Sequence, residues 1–318
     1  MTIRDKSSSM SAADGLKSIV LICDNNYADY VPVVLKSLQQ SSDYFRDVYI
    51  IHDLSTDSQS LEFMRAFLPL NEVKFLPFEL ARFIPDDFSP PKGKDSNVSI
   101  AKLFLTELIA DCTQVLYLDI DIIILDSIER LLNTKLAYPI AAVEELGKNA
   151  YLRGIDYPYI NSGVMLMDLQ RLRELNFASK VNDAISSRLH QQIYVDQEII
   201  NVVMQGNIQY LPQEFNVFIN YADAYPLGPF VSSPKIVHFV GTNKPWLYPN
   251  KTRYSKLWSL NYSQIDPSIP RKTKRKENRY QFNVTLFFRS TFLRYYRLEK
   301  RFKGIIPENI KKLLRRWL

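Results

Sequence analysis

The chain has 318 residues, of which 46% are hydrophobic, 13% aromatic and 23% charged, enough apolar side chain to bury a large core. That composition excludes disorder for most of the chain and fits one large domain with an appendage. The net charge of +6 conceals a division: residues 271–318 carry sixteen Lys and Arg against three Glu, a net +13, while residues 1–270 carry −7.

Only nine glycines occur, none at the spacing of a G-x-G-x-x-G or Walker-type loop, which speaks against glycine-cradled phosphate sites. Cys23 and Cys112 form no C-x-x-C pair and read as buried thiols of a reducing compartment. Residues 1–18 hold no apolar h-region, and nowhere do about 18 apolar residues run together. Neither a secretory leader nor a membrane span is expected, and the body is expected to be cytoplasmic.

In chain order, Ser18 to Cys23 is an apolar run ending in Asp24-Asn25-Asn26, the turn chemistry expected after a buried parallel strand. Tyr30 to Gln39 is helical, with Val33, Val34, Ser37 and Leu38 on one face, and Val48 to Ile51 closes a β-α-β unit. Val73 to Leu76 continues the alternation. After a Pro-rich loop at Ile84 to Gly93, Ile100, Leu103, Phe104 and Leu108 predict an amphipathic helix docked by one face. Val115 to Leu118 is a strand that delivers Asp119-Ile120-Asp121 to the carboxyl edge of a sheet. Strand Ile122 to Leu125 follows, and Asp126 or Ser127 caps a short helix through Leu132.

Further strands are expected at Val164 to Met167, Ile208 to Leu211 and Ile236 to Phe239, with helices at Leu169 to Leu175, Phe177 to Leu189 and Asp196 to Gln205. Such alternation predicts an α/β fold with a doubly wound, mostly parallel sheet and ligands at the strand carboxyl ends. The expected organisation is a disordered residue 1–17 segment, a catalytic domain over 18–262, and a basic aromatic, largely helical segment over 263–318 that begins with a linker at Ser263 to Pro270.

Asp119 and Asp121 alternate about Ile120, so the pair converges on one cation if the strand bends or breaks there. A helix cap or a solvated pair of carboxylates is the plain alternative. Their setting between two apolar runs favours a compensating cation or hydrogen bonds, because buried charge is costly when unpaired. His238, at another strand exit, can offer a neutral imidazole nitrogen, Gly241 permits close backbone approach, and Lys244 can neutralise a phosphate. Oxygen ligands with one imidazole suit Mn²⁺ or Mg²⁺ better than zinc. His52 and His190 read as surface or packing residues.

Val-Leu-Tyr-Leu-Asp-Ile-Asp at 115–121, Asn-Ser-Gly-Val-Met-Leu-Met-Asp-Leu at 161–169, Asp-Gln-Glu-Ile-Ile-Asn at 196–201 and the run from His238 to Trp246 together resemble glycosyltransferase family 8. The likeness spans roughly residues 18–260 and leans toward its bacterial lipooligosaccharide α-1,4-galactosyltransferase branch, including the opening Asp24-Asn25-Asn26-Tyr27 and the basic tail. It implies a retaining, Mn²⁺-dependent transferase of the GT-A fold that uses a UDP-sugar.

By matching position, the resemblance makes Asp119, Asp121 and His238 metal ligands and puts Lys244 and Gly241 on the diphosphate. It sets Ile22 and Cys23 beside the uracil, Asp24 and Asn26 on uracil or ribose, Tyr27 stacked on the base, and Ile120 among the nucleotide contacts. Lys102 stands where the family has Arg, which keeps the charge and loses the bidentate fork. Asn161, Asp196 and Gln197 would line the donor-sugar pocket, with Asp196 and Gln197 as catalytic candidates; Glu144 replaces an Asp and would touch either sugar. Without the other motifs, Asn161-Ser162-Gly163 reads as a strand-leading turn. An amide such as Gln197 is a poor nucleophile, so a front-face route through a short-lived oxocarbenium-like ion pair is expected.

The resemblance implies UDP-galactose as donor and a lipid-linked oligosaccharide as acceptor. A UDP-glucose-dependent enzyme building core, capsule or a protein-linked glycan is the alternative within the family. In the tail, Ile310, Leu313, Leu314 and Trp317 share a helical face among Lys311, Lys312, Arg315 and Arg316, suited to an anionic membrane surface on the inner face. A nucleic-acid-binding role for the tail is the rival reading, and it leaves the four motifs of the acidic body without a purpose; no nucleic-acid partner is expected. A sugar-binding module without catalysis is the third.

Overall fold

The computed structural model describes residues 17–41, 47–67, 73–84, 98–145, 158–188, 196–220, 225–226, 231–241, 244–247 and 252–265. The chain divides into two units at residues 272 and 273, and the second lies wholly outside the described residues. The expected basic aromatic tail and residues 1–16 are therefore outside them too, as is His190.

The larger sheet contains β1 (Ser18–Cys23), β2 (Val48–Asp53), β3 (Val73–Phe78), β4 (Gln114–Leu118), β6 (Ile140–Glu144), β7 (Ile160–Asp168) and β8 (Ile208–Leu211). Its seven strands run in the order β3-β2-β1-β4-β7-β6-β8, all parallel except β7, which is antiparallel to both neighbours. β1 is buried along its whole length because it lies mid-sheet between β2 and β4, and a strand covered on both faces reads as an unbroken apolar run. The core continues on both faces of this sheet, with Val20, Tyr49 and Met165 on one side and Ile19, Leu21 and Leu166 on the other.

Among the described residues the α-helices are α1 (Val31–Ser41), α2 (Ser58–Phe67), α3 (Leu105–Leu108), α4 (Glu129–Leu132), α5 (Leu169–Glu174), α6 (Phe177–Arg188), α7 (Asp196–Met204) and α8 (Arg253–Ser263). On α1 the expected face, Val33, Val34, Ser37 and Leu38, is buried. Asp168 caps α5 by accepting the Arg171 N–H at 3.0 Å. The Ser127 hydroxyl accepts the Glu129 N–H at 3.4 Å at the start of α4.

Three expectations are corrected. First, Ile122 to Leu125 and Ile236 to Phe239 do not join the large sheet. They supply β5 (Ile122–Ile124) and β11 (Ile236–His238) of a second, four-stranded sheet completed by β9 (Val217–Asn220) and β10 (Tyr225–Pro226). β5 and β11 pair antiparallel, His238 opposite Ile122. Second, the amphipathic helix at 100–108 is a 3-10 segment, Val98–Phe104, followed by the single turn α3. It packs against β1, β2, α6 and α7, and all of its residues but the half-buried Ser99 are buried, Lys102 included. Third, Asn161-Ser162-Gly163 lies inside β7 rather than in a turn before it.

The packed body also continues past the expected boundary at residue 262, since α8 runs to Ser263 and Ile265 is fully buried beside Trp258. At the other end Lys17 is buried, with its ammonium donating to the Leu132 carbonyl. Among the described residues no helix is long and apolar enough to cross a membrane.

Candidate active site and metal centre

The antiparallel course of β7 creates the site. Its first residues reach the edge where the parallel strands end, so that the Asp119 N–H, just beyond β4, donates to the Gly163 carbonyl at 2.8 Å. Between β4 and β5 the chain passes from one sheet to the other through Asp119, Ile120 and Asp121 alone. Asp121 is held from the opposite side, its carbonyl accepting the Phe239 N–H at 2.8 Å. Ile120 points into the core and is buried, while the flanking carboxylates face His238. His238 Nε2 lies 3.2 Å from Asp121 Oδ1 and 3.5 Å from Asp119 Oδ2.

One ligand atom from each of Asp119, Asp121 and His238 falls within 4.8 Å of the others. Two hard carboxylates and one imidazole form a donor set that fits a Mn²⁺- or Mg²⁺-like cation better than zinc. Burial alone would raise the Asp121 carboxyl, but Lys244 and His238 outweigh it and hold it far below the usual carboxylate range. The Lys244 ammonium donates to Asp121 Oδ2 and to the Phe239 carbonyl, the latter at 3.1 Å. Gly241 has φ 83° with no described atom within 4 Å of a Cβ built there. That left-handed backbone conformation favours glycine at this position.

Lys102 is 3% exposed and lies between the two halves of the site, 2.8 Å from Asp196 Oδ2 and 3.2 Å from Asp119 Oδ1. Its ammonium also sits over the Tyr117 ring, 4.6 Å from the centroid. Burial opposes its charge, yet Asp119, Asp196 and Tyr117 prevail and keep the ammonium well above the ordinary lysine range. The Tyr117 hydroxyl donates to Asp119 Oδ1, and Ser162 Oγ donates to Asp196 Oδ2 at 3.1 Å.

Gln197, in the first turn of α7, is held at both ends of its amide. Its Oε1 accepts from Asn161 Nδ2 at 3.0 Å and from the Ser162 N–H at 3.1 Å, and its Nε2 donates to Glu145 at 2.8 Å. Asn161 Oδ1 accepts the Gly163 N–H at 2.9 Å and Asn216 Nδ2 at 2.9 Å, and Asn216 Oδ1 stands 3.1 Å from His238 Nδ1. Glu145 therefore occupies the position beside Gln197, while Glu144 is half-buried and its carbonyl accepts from Gln213 Nε2 at 2.9 Å.

At the first strand exit, Asp24 Oδ1 accepts the N–H groups of Asn26 and Tyr27 at 2.8 and 3.0 Å, and its Oδ2 accepts Asn26 Nδ2 at 3.2 Å. This is an Asx turn, which leaves Asn26 exposed and Tyr27 half-buried with its ring edge-on to Trp246, centroids 5.6 Å apart. Ile22 and Cys23 have buried side chains, and burial, helped by Asp24 and Asp53, pushes the Cys23 thiol upward. His52 is buried, with Nδ1 3.0 Å from the Asp53 carbonyl.

The structure thus brings Lys102, Asp119, Asp121, Asn161, Asp196, Gln197, His238 and Lys244 into one network, and leaves Asp24, Asn26 and Tyr27 at a separate rim of the same sheet edge. Tyr117, Glu145, Ser162, Asn201 and Asn216 belong to the network and were not singled out. Tyr117 carried a signal, standing two residues before Asp119 on the same strand face. So did Asn201, one helical turn after Gln197, whose side chain donates to the Ile160 carbonyl at 3.0 Å and accepts the Ile160 N–H at 2.8 Å. Asn216 carried none.

Known proteins resemble this chain in sequence and in fold. Lipopolysaccharide 1,2-glucosyltransferase of Escherichia coli K12 is 28% identical over 279 residues, covering 79% of each chain. Glycosyltransferase GlyB of Streptococcus pneumoniae serotype 4 is 23% identical over 254 residues, covering 76% of this chain and 60% of that one. The galactosyltransferase LgtC, solved with donor and acceptor sugar analogs, superimposes with a TM-score of 0.69 at 24% identity, over 82% of this chain and 98% of that one, so the two share the GT-A fold. The model of glycosyl transferase family 8 matches residues 18–250, the span that holds both sheets and the whole network, and the chain belongs to that family.

Proposed function

We propose that the protein is a retaining, divalent-cation-dependent hexosyltransferase that moves a sugar from a UDP-hexose to a hydroxyl of a lipooligosaccharide- or lipopolysaccharide-type glycan. The observation that carries this reading is the convergence of Asp119, Asp121 and His238 within 4.8 Å at the strand ends of a family-8 chain. Those three side chains would hold Mn²⁺ or Mg²⁺, which when bound supplies positive charge against the diphosphate leaving group. Lys244 and the Gly241 turn would bind the diphosphate, Asn26 and Tyr27 the nucleoside, and Asn161, Asp196 and Gln197 the donor sugar. Asp24 would act by shaping its turn, and Ile22, Cys23 and Ile120 would contact the nucleotide through backbone atoms.

In the transfer, the acceptor oxygen bonds to the anomeric carbon as the bond from that carbon to the UDP oxygen breaks, and the acceptor proton passes to the departing phosphate. Gln197 Oε1 already accepts two hydrogen bonds, which blunts an amide oxygen as a nucleophile and supports the front-face route. Its part is then to orient the sugar and stabilise positive charge on the ring. UDP-galactose is the donor we put first; the E. coli relative, named a glucosyltransferase, favours UDP-glucose as the second. The net +13 of residues 271–318 supports a peripheral site on the cytoplasmic face of an anionic membrane, where each basic residue contributes ~1 kcal/mol.

UDP release with Mn²⁺ and a panel of UDP-sugars tests the reading, with Asp119→Ala and Asp121→Ala as controls. One UDP-hexose should be turned over and both variants should be inactive yet folded. Full activity of either variant, or none with any UDP-sugar, would overturn it. Truncation after Asp266 should abolish sedimentation with anionic vesicles and spare UDP-sugar hydrolysis; equal binding by both forms would refute the membrane role.

A further inference from the structure

We propose that Asn216 is a positioning residue that fixes the tautomer of His238, as the last link of a polarity-ordered chain running Glu145, Gln197, Asn161, Asn216, His238. Amide oxygen and nitrogen have nearly the same shape, so the direction of such a chain must be read from partners whose roles are fixed. Three are present. The Ser162 N–H can only donate, which sets Gln197 Oε1 toward it at 3.1 Å; the Glu145 carboxylate accepts from Gln197 Nε2 at 2.8 Å. The Gly163 N–H can only donate, which sets Asn161 Oδ1 toward it at 2.9 Å.

With both amides oriented, Asn161 Oδ1 must receive Asn216 Nδ2, at 2.9 Å, and Asn216 therefore presents Oδ1 to His238 Nδ1, at 3.1 Å. His238 Nδ1 must carry the proton. In the neutral ring, Nε2 is then left with its lone pair aimed between Asp121 Oδ1 and Asp119 Oδ2, at 3.2 and 3.5 Å. For a neutral ring that pairing of a lone pair with two carboxylates is unfavourable by itself, and an Nε2–H tautomer would suit the carboxylates better. The fully buried Asn216 prevents it: turning that amide over would oppose two oxygens at Asn161, and turning Asn161 over would strip the Gly163 N–H of its acceptor. The backbone of β7 thus holds a nitrogen lone pair in place for a cation, and the same chain ties the residue at the donor-sugar pocket to the residue at the metal side.

The consequence for the cation rests on the proposed function; the tautomer does not. ¹⁵N NMR of histidine in the metal-free protein, followed to its alkaline limit, should show His238 protonated at Nδ1 and bare at Nε2; an Nε2–H ring would overturn the proposal without any variant. Asn216→Leu, which removes the acceptor, should convert His238 to Nε2–H and weaken Mn²⁺ binding, read by electron paramagnetic resonance, about 10- to 100-fold. Asn216→Asp restores the acceptor at His238 Nδ1 but sets a second oxygen against Asn161 Oδ1, so it should recover the Nδ1–H signal and only part of the affinity. Unchanged tautomer and affinity in Asn216→Leu would refute the assignment. A wild-type protein with the Nδ1–H ring and no Mn²⁺ affinity would instead refute the metal reading alone.

Discussion

Gly163 runs so close to His238 that a Cβ on it would stand 2.2 Å from the ring Cε1 and 2.8 Å from Asp119 Oδ2. A methyl group there has no room unless the imidazole moves, and the ring is held at Nδ1 by Asn216. Gly163→Ala should therefore weaken Mn²⁺ binding at least tenfold and cost about 1–3 kcal/mol of stability as overpacking. Wild-type affinity and turnover in that variant would mean that the imidazole is free to shift.

The buried Lys102 neutralises the buried Asp196 and the half-buried Asp119. Lys102→Met should destabilise the fold by about 3 kcal/mol, the cost of leaving a buried charge without its partner. Lys102→Arg should retain most of that stability. Urea unfolding of the two variants measures the difference, and equal loss in both would assign the effect to packing rather than charge.

Lys244 puts a cation directly on Asp121. Lys244→Met should make the carboxylate more available and tighten nucleotide-free Mn²⁺ binding, while turnover falls ~10²- to 10³-fold through loss of a stabiliser aimed at the diphosphate. Titration of the metal without UDP, beside steady-state kinetics, separates the two signs. A parallel fall in both quantities would contradict the assignment.

Burial raises the Asp24 carboxyl above its ordinary range, against the opposing hydrogen bonds from Asn26 and Tyr27. The folded state then binds a proton more tightly than the unfolded chain, so this group's stabilisation is complete below the unfolded value of about 3.9 and is lost as pH rises through the folded value. Asp24→Asn keeps the acceptor for the turn and removes the titration. Its unfolding free energy should decline less than that of wild type as pH rises from about 4 toward neutrality. Identical slopes would argue that Asp24 has the same proton affinity in both states.

Much of the catalytic edge could be read from the sequence because each motif follows an apolar run, and strands covered on both faces announce themselves that way. β1 and β8 have the expected limits, and Asp119 leaves β4 as expected. An apolar run does not say which sheet it joins, however, so Ile122–Ile124 and Ile236–His238 looked like further strands of a single sheet. The stripe at Ile100, Leu103 and Phe104 was real, but Lys102 is buried with it, its charge satisfied by carboxylates distant in the chain. Asn216 and Glu145 stayed invisible for the same reason: their value lies in partners at Asn161, His238 and Gln197, and a lone polar residue gives no sign of what it will meet.

The stitch between the two sheets also limits how this site can change. Only residues 119–121 separate β4 from β5, and each end is clamped, Asp119 N–H to Gly163 and the Asp121 carbonyl to Phe239, both at 2.8 Å. An insertion there has nowhere to bulge. It must either break one ladder or rotate one carboxylate from His238 toward the core, since a shift of one residue exchanges the faces of an extended chain. Changes of length are thus accommodated in loops elsewhere, while the one-residue spacing of the acidic pair is fixed by the architecture of the two sheets as much as by its chemistry.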